Sequence, residues 1–402
     1  MTTPPNSSNA PDLPGTPGHS TAERRAILAG LGGLAAGAFL AGRAQAGPLN
    51  PPAGPVASTG KTLTDVEPRI AINATNTPGD AQSVFRISQS GSYYLTGNVI
   101  GASGKNGILI ATSNVTIDLN GFTLFGVTGS LHGIARNANL NSGIRIHNGT
   151  ISGWGLDGIN LPLNGSGETR GFHYDSIICR DNGGVGFWIG DGSVLTRCVS
   201  AGNDSHGFAA NNNVRFSDCV ANANGGNGFS GGFGCSFAGC IARANTGSGF
   251  APTSNSVFLN CSSSNSSQGS GFVLIRSVAI GCESTFNFVR GFLASNQSTL
   301  DTCVAINNDI GIEVSSNSSI INCNVVGVSV GISVTGSDNR IDGNNVVDSS
   351  TGISISSAGN LVIRNSVSGG TRYSIAAGNS VGPITTAANI ATLTNPAANF
   401  DY

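Results

Sequence analysis

Gly207-Phe208-Ala209-Ala210 opens a stretch that runs through Val214-Arg215-Phe216-Ser217-Asp218-Cys219-Val220 and begins again at Gly228-Phe229. Each unit consists of short alternating strands broken by Asn, Gly and Ser turns. The Gly-Phe or Gly-Ile pair recurs at Gly186, Gly207, Gly228, Gly249, Gly271, Gly291, Gly311, Gly331 and Gly352, at intervals of 21, 21, 21, 22, 20, 20, 20 and 21. Upstream it stands at Gly107, Gly133 and Gly158, before longer intervals of 26, 25 and 28. A period near 21 with three short strands is one coil of a parallel β-helix. A leucine-rich repeat has a similar period but needs a Leu framework that is absent here. The repeat therefore predicts an all-β solenoid of about twelve coils of 20–22 residues.

Two further columns run at the same period. Asn182, Asn203, Asn224, Asn245, Asn287 and Asn307 stand four residues before the Gly, with Ser267, Gly327 and Asp348 in the same place elsewhere. Stacked Asn side chains can hydrogen-bond from coil to coil, and Asn tolerates left-handed turns. The second column is Cys179, Cys198, Cys219, Cys240, Cys261, Cys282, Cys303 and Cys323, at spacings of 19, 21, 21, 21, 21, 21 and 20. Coils lie ~4.8 Å apart, whereas bridged Cβ atoms need ~3.8 Å and a demanding dihedral. The column thus reads as buried, unbridged thiols. With no C-x-x-C spacing there is no zinc signature; only Cys235 lies off the column. Phe187, Phe208, Phe229, Phe250, Phe272, Phe292, Ile312, Ile332 and Ile353 are expected to stack inside.

Charged residues are only 10% of 402, and Lys+Arg 19 against Asp+Glu 21 leaves a charge of −2. Such a chain has no cationic footprint for nucleic acid or anionic membrane. Residues 1–46 read as an export signal: Arg24-Arg25-Ala26-Ile27-Leu28 resembles a twin-arginine motif, and Ala44-x-Ala46 is a small-residue cleavage site. Glu23 and Ala29 depart from the usual twin-arginine pattern, and a Sec-type signal is the alternative. A Pro-rich linker (47–62), an N-terminal cap (63–104), the β-helix (105–380) and a C-terminal cap (381–402) follow. No later apolar run is long enough to span a bilayer. The mature chain is expected to begin near Gly47 and to be exported to the periplasm, cell surface or medium.

Thr64-Asp65-Val66-Glu67-Pro68-Arg69, Ile87-Ser88-Gln89-Ser90-Gly91-Ser92-Tyr93-Tyr94-Leu95, Val115-Thr116-Ile117-Asp118-Leu119-Asn120-Gly121 and Asn148-Gly149-Thr150-Ile151-Ser152-Gly153-Trp154 resemble exported bacterial right-handed β-helix repeat proteins of the pectin-lyase-like superfamily. The closing Asn395-Pro396-Ala397-Ala398-Asn399-Phe400 is similar to an ending in the same group. The resemblance implies a right-handed parallel β-helix and does not fix an activity. Lyases and hydrolases on this scaffold carry paired Asp, His-Gly or Arg-x-Lys motifs. Here His132-Gly133 and His206-Gly207 occur, but each Gly already belongs to the repeat; Asp-Asp and Arg-x-Lys are missing.

Polar residues are densest over 145–206: Trp154, Asp157, Glu168, Arg170, His173, Tyr174, Asp175, Asp181, Trp188, Asp191, Asp204 and His206. From these, Asp157, Asp191 and His206 are the catalytic candidates, and Trp188, Asn160 and Asp204 the substrate-binding ones. Strand alternation turns Trp188 outward, where an indole can stack on a sugar. Asp118 reads as a turn residue. No cofactor or metal site is expected. Two functions follow: a non-catalytic carbohydrate-binding or envelope-associated protein, or a polysaccharide lyase or glycoside hydrolase working around 145–206. Carboxylates and aromatics gathered on one face of consecutive coils would favour the second. A polysaccharide or envelope glycan is the expected partner; the oligomeric state is not encoded legibly.

Overall fold

A computed structural model describes residues 67–137, 142–162 and 171–402, the side chain of Ala387 apart. All of these fall in the compact unit Thr62–Tyr402. The expected signal and linker, and Glu168 and Arg170, lie outside the described residues. No described helix is long and apolar enough to cross a membrane.

The fold is the right-handed parallel β-helix that the resemblance implies. Its strands form three parallel ladders, one strand per coil in each. The first ladder carries the repeat dipeptide and counts fourteen rungs: Phe85, Ile108, Ile134, Ile159, Phe187, Phe208, Phe229, Phe250, Phe272, Phe292, Ile312, Ile332, Ile353 and Tyr373. About twelve were expected. The two extra rungs lie at the ends, where Phe85 and Tyr373 pair without the Gly that marks the others. Ser83–Ile87 already pairs with Asn106–Ile110, so the first coil begins inside the segment read as a cap.

The core explains the repeat. Phe229 stacks between Phe208 and Phe250, with ring centroids 4.8 Å away on both sides. Phe216, Phe237 and Phe258 form a second stack on the second ladder and meet the first edge-on. Such offset and edge contacts are the favoured ring geometries. The third ladder faces inward with small residues, Ser200, Ala221, Ala242, Ser263, Ser284 and Ala305, all fully buried. The Gly before each Phe follows from this. A Cβ at Gly186 would collide with the Ser200 hydroxyl and the Gly207 carbonyl, so close approach of the first and third ladders requires Gly there.

The Asn column forms with two corrections. Asn182 Nδ2 donates to Asn203 Oδ1 (2.8 Å), and Asn203 and Asn224 repeat the bond to the next Asn at 2.9 Å each. Beyond Asn245, however, the rungs are Ser266, Asn287 and Asn308, not Ser267 and Asn307. Coils of 20 and 22 residues absorb the length change between this column and the Gly. The left-handed conformation belongs to the preceding residue (Asp181, φ 55°; Ala223, φ 53°), not to the stacked Asn.

The nine cysteines are free and buried, as expected for the eight of the column, and Cys235 off the column is buried too. Their column needs one correction: Ile178 pairs with Val199, so Cys179 stands level with Ser200 and Cys198 level with Ile177. Cys179 therefore belongs to the small third-ladder column, and the odd spacing of 19 marks the change. The true column runs from Cys198 to Cys323 and passes into Asn344, Asn365 and Asn399, each accepting a backbone N–H from the rung before. Burial pushes the thiols of Cys179, Cys219 and Cys235 up from their ordinary values, which keeps them neutral. Asn399, from the closing Asn-Pro-Ala-Ala-Asn-Phe segment, ends the column by donating to the carbonyls of Val362 and Gly382.

Candidate functional site

Parallel register turns residues far apart in sequence into neighbours on a face. On the outside of the second ladder, Tyr94, Asp118, His147, Asp175 and Thr196 occupy successive rungs. Two residues earlier in each strand, Ser92, Thr116, Arg145, His173 and Val194 make a parallel column, continued by Arg215. The strands alternate for a simple reason: Ile117, Ile146 and Tyr174 point into the core between these polar pairs.

Asp118 is held by three donors. Arg69 Nη1 donates to Oδ2 at 2.8 Å, and the Asn120 N–H (2.8 Å) and Asn148 Nδ2 (3.3 Å) donate to Oδ1. Nδ1 of His147 lies 3.6 Å from the same Oδ1. Arg69 also grips Glu67 through two bonds of 2.8 Å, and its guanidinium sits 4.7 Å above the Tyr94 ring. The bonds from Arg69 pull the Glu67 carboxyl down to about 2. On the other side of His147, Asp175 accepts from Arg197 Nη2 at 2.6 Å. Asp118 and Asp175 stand two rungs apart, ~9.6 Å along the ladder. Arg145 and His173 are exposed and make no ion pair or side-chain hydrogen bond among the described residues. No group of three or more ligating side chains with metal-site geometry occurs among the described residues.

The candidates from the sequence are placed elsewhere, mainly along the first ladder. Asn160 and Trp188 are in register on adjacent rungs of its outer face, with Trp188 41% exposed. Asp157 lies at the start of that strand, buried. Its Oδ1 accepts the Val185 N–H at 2.7 Å, its Oδ2 accepts from Asn160 Nδ2 at 2.5 Å, and His132 Nδ1 lies 3.2 Å away. Burial raises its pKa, but the contacts with His132, Val185 and Asn160 outweigh burial and leave it below the ordinary value. His206 Nδ1 accepts the Asn227 N–H at 2.9 Å, and burial lowers its pKa. Asp191 sits past the other end of the strand Phe187–Ile189 and accepts the Asn212 N–H at 3.0 Å. Asp204 is exposed. The structure thus gathers Asp157, Asn160 and Trp188, and leaves Asp191 at the opposite strand end. Trp154, counted among the polar cluster, is 1% exposed and donates Nε1–H to the Leu124 carbonyl at 3.1 Å.

Asp118 is a turn residue, as read, since its Oδ1 accepts the Asn120 N–H, and it also belongs to the second-ladder row, which the sequence reading does not single out. The signal was present: Thr116-Ile117-Asp118, Arg145-Ile146-His147 and His173-Tyr174-Asp175 share one polar–apolar–polar pattern, 29 and 28 residues apart.

No family model and no curated protein sequence matches the chain. Solved structures do. The A-module of mannuronan C-5 epimerase AlgE4 from Azotobacter vinelandii matches at TM-score 0.49 and 14% identity, covering 73% of this chain and 87% of that one. The catalytic unit of a GH87 alpha-1,3-glucanase from Streptomyces thermodiastaticus matches at 0.43 and 11%, covering 75% and 66%. The tailspike gp49 of Acinetobacter baumannii bacteriophage Fri1, a capsular polysaccharide depolymerase, matches at 0.40 and 12%, covering 74% and 63%. At these identities the likeness concerns the fold alone.

Proposed function

We propose that this chain is a polysaccharide-active enzyme whose chemistry is carried by the outer face of the second ladder. The observation that carries the reading is His147 standing between two carboxylates on consecutive rungs, beside the exposed side chains of Arg145 and His173. Asp118 accepts from Arg69, Asn120 and Asn148, its Oδ1 faces Nδ1 of His147 at 3.6 Å, and Nε2 of His147 is left to exchange a proton with substrate. The exposed Arg145 favours an acidic sugar, whose carboxylate it would pair, with His173 beside it as a hydrogen-bonding group. His147 then removes the proton α to that carboxylate. The electron pair forms a carbon–carbon double bond, and the adjacent glycosidic oxygen leaves with a proton from solvent. The carboxylates gathered on one face favour this reading over binding without catalysis.

Incubation of the purified chain with polygalacturonate, alginate and neutral polysaccharides, reading ultraviolet absorbance of unsaturated ends and total reducing ends, tests it. Unsaturated product from an acidic polymer supports elimination; reducing ends without unsaturation would replace it by hydrolysis. The reading includes export, resting on Arg24-Arg25 and Ala44-x-Ala46. Sequencing the amino terminus of the protein recovered outside the cytoplasm should find a start near Gly47.

A further inference from the structure

Trp188 is an expensive residue to leave half-exposed. The rungs nearest it in the first-ladder column are small or polar: Ala135, Asn160, Ala209 and Ser230. The indole N–H makes no hydrogen bond among the described residues, and no neighbouring side chain in the column is large enough to cover the ring. The rungs beside it, Asn160 and Ala209, leave the indole 41% exposed.

A cleft begins on the adjoining rung. It has a volume of about 380 Å³, touches Asn160, and is lined by Gln82, Asn106, Leu109, His132, Arg136 and Asn137. That is the size range of small-molecule sites, and its walls carry amide donors and acceptors among the apolar Leu109, Leu131 and Ala135. Register sets Leu109, Ala135, Asn160 and Trp188 in line across three steps of ~4.8 Å, so cleft and indole form one continuous track.

The charge of the track separates it from the second ladder. The carboxylate at its edge, Asp157, is buried and occupied by Val185 and Asn160. Arg136, which also lines the cleft, is turned to the Pro162 carbonyl through Nη2. Amides that both donate and accept, next to an aromatic plane, suit hydroxyl-rich rings with apolar C–H faces. We propose that the outer face of the first ladder is a second glycan-binding site, specific for uncharged oligosaccharide, with Trp188 as stacking platform and Asn160 as its hydrogen-bonding neighbour. The site stands independently of catalysis at His147.

Intrinsic fluorescence tests this directly, because the only other Trp, Trp154, is buried and 1% exposed. The chain is titrated with cellohexaose, maltohexaose and xylohexaose, and with trigalacturonate as the charged contrast. The expected result is saturable change in emission with at least one neutral oligosaccharide, unchanged in His147→Ala. Calorimetric affinity should fall about tenfold in Trp188→Ala, be retained in Trp188→Tyr, and change without loss of melting temperature. Absence of binding by all three neutral probes at millimolar concentration would overturn the proposal. So would affinity that survives Trp188→Ala, or binding of trigalacturonate alone. Polymer turnover is scored separately on His147→Ala, so either site can fail without the other.

Discussion

Oδ1 of Asp118 lies 3.6 Å from Nδ1 of His147, although 29 residues separate them in sequence. Stacking of coils makes that contact, and it also brings Asp175 to the rung beyond. A parallel ladder converts one residue per coil into a row with ~4.8 Å steps. In most of this solenoid such rows serve architecture, as with Asn, Cys and Phe. Over Tyr94, Asp118, His147 and Asp175 the row is titratable and faces outward.

Phe229→Ala opens a cavity between the stacked rings of Phe208 and Phe250, which lie 4.8 Å away on both sides, and also removes edge contacts to Phe216 and Phe237. A loss of about 3–5 kcal/mol in unfolding free energy is expected. Denaturant midpoints of parent and variant measure it, and equal midpoints would take Phe229 out of the core.

His206 should make the fold acid-sensitive. Burial lowers its folded pKa below the ordinary 6.5, so between those two values the unfolded chain holds more protons than the folded one. Its contribution is fully present above pH ~6.5 and is lost as pH falls through the folded pKa. In His206→Asn an amide oxygen can accept the Asn227 N–H, as Asn227 itself does for Ser248 at 2.8 Å. Melting temperatures from pH 7 to pH 5 should fall less steeply in the variant than in the parent.

The fold was legible because the solenoid repeats its constraints. Gly186 through Gly352 mark the approach of the first and third ladders, and the Phe column lies where alternation puts it. Periodicity alone could not assign register where coil length changes: Asn307 and Asn308 are equally good turn residues, and only the bond from Asn287 distinguishes them. Cys179 joined the wrong column for a similar reason. The site was less legible still. Asp157 and His206 look catalytic by residue type, yet each accepts a backbone N–H from the next coil. The row containing Asp118 and His147 lies on longer coils, outside the regular 21-residue period used to align the rest.

The column from Cys198 to Cys323 gives way to Asn344 without a break, since Asn344 Oδ1 accepts the Cys323 N–H at 2.9 Å. Cys323→Asn should therefore extend the amide ladder and leave stability within about 1 kcal/mol of the parent. Cys323→Asp buries a carboxylate at the same place and should be far more destabilising. Urea denaturation of the two variants compares them; equal losses would mean that the position does not accept an amide rung.

The most direct test of the catalytic proposal is turnover of acidic polysaccharide by His147→Ala beside the parent chain. Loss of a positioned proton-transfer group costs typically 10²–10⁴-fold, and His147 is half-buried on the surface, so melting temperature should change little. The account predicts unsaturated product from the parent and a fall of at least about 100-fold in its rate of formation by the variant, with the fold intact. Equal rates from the two proteins would contradict it.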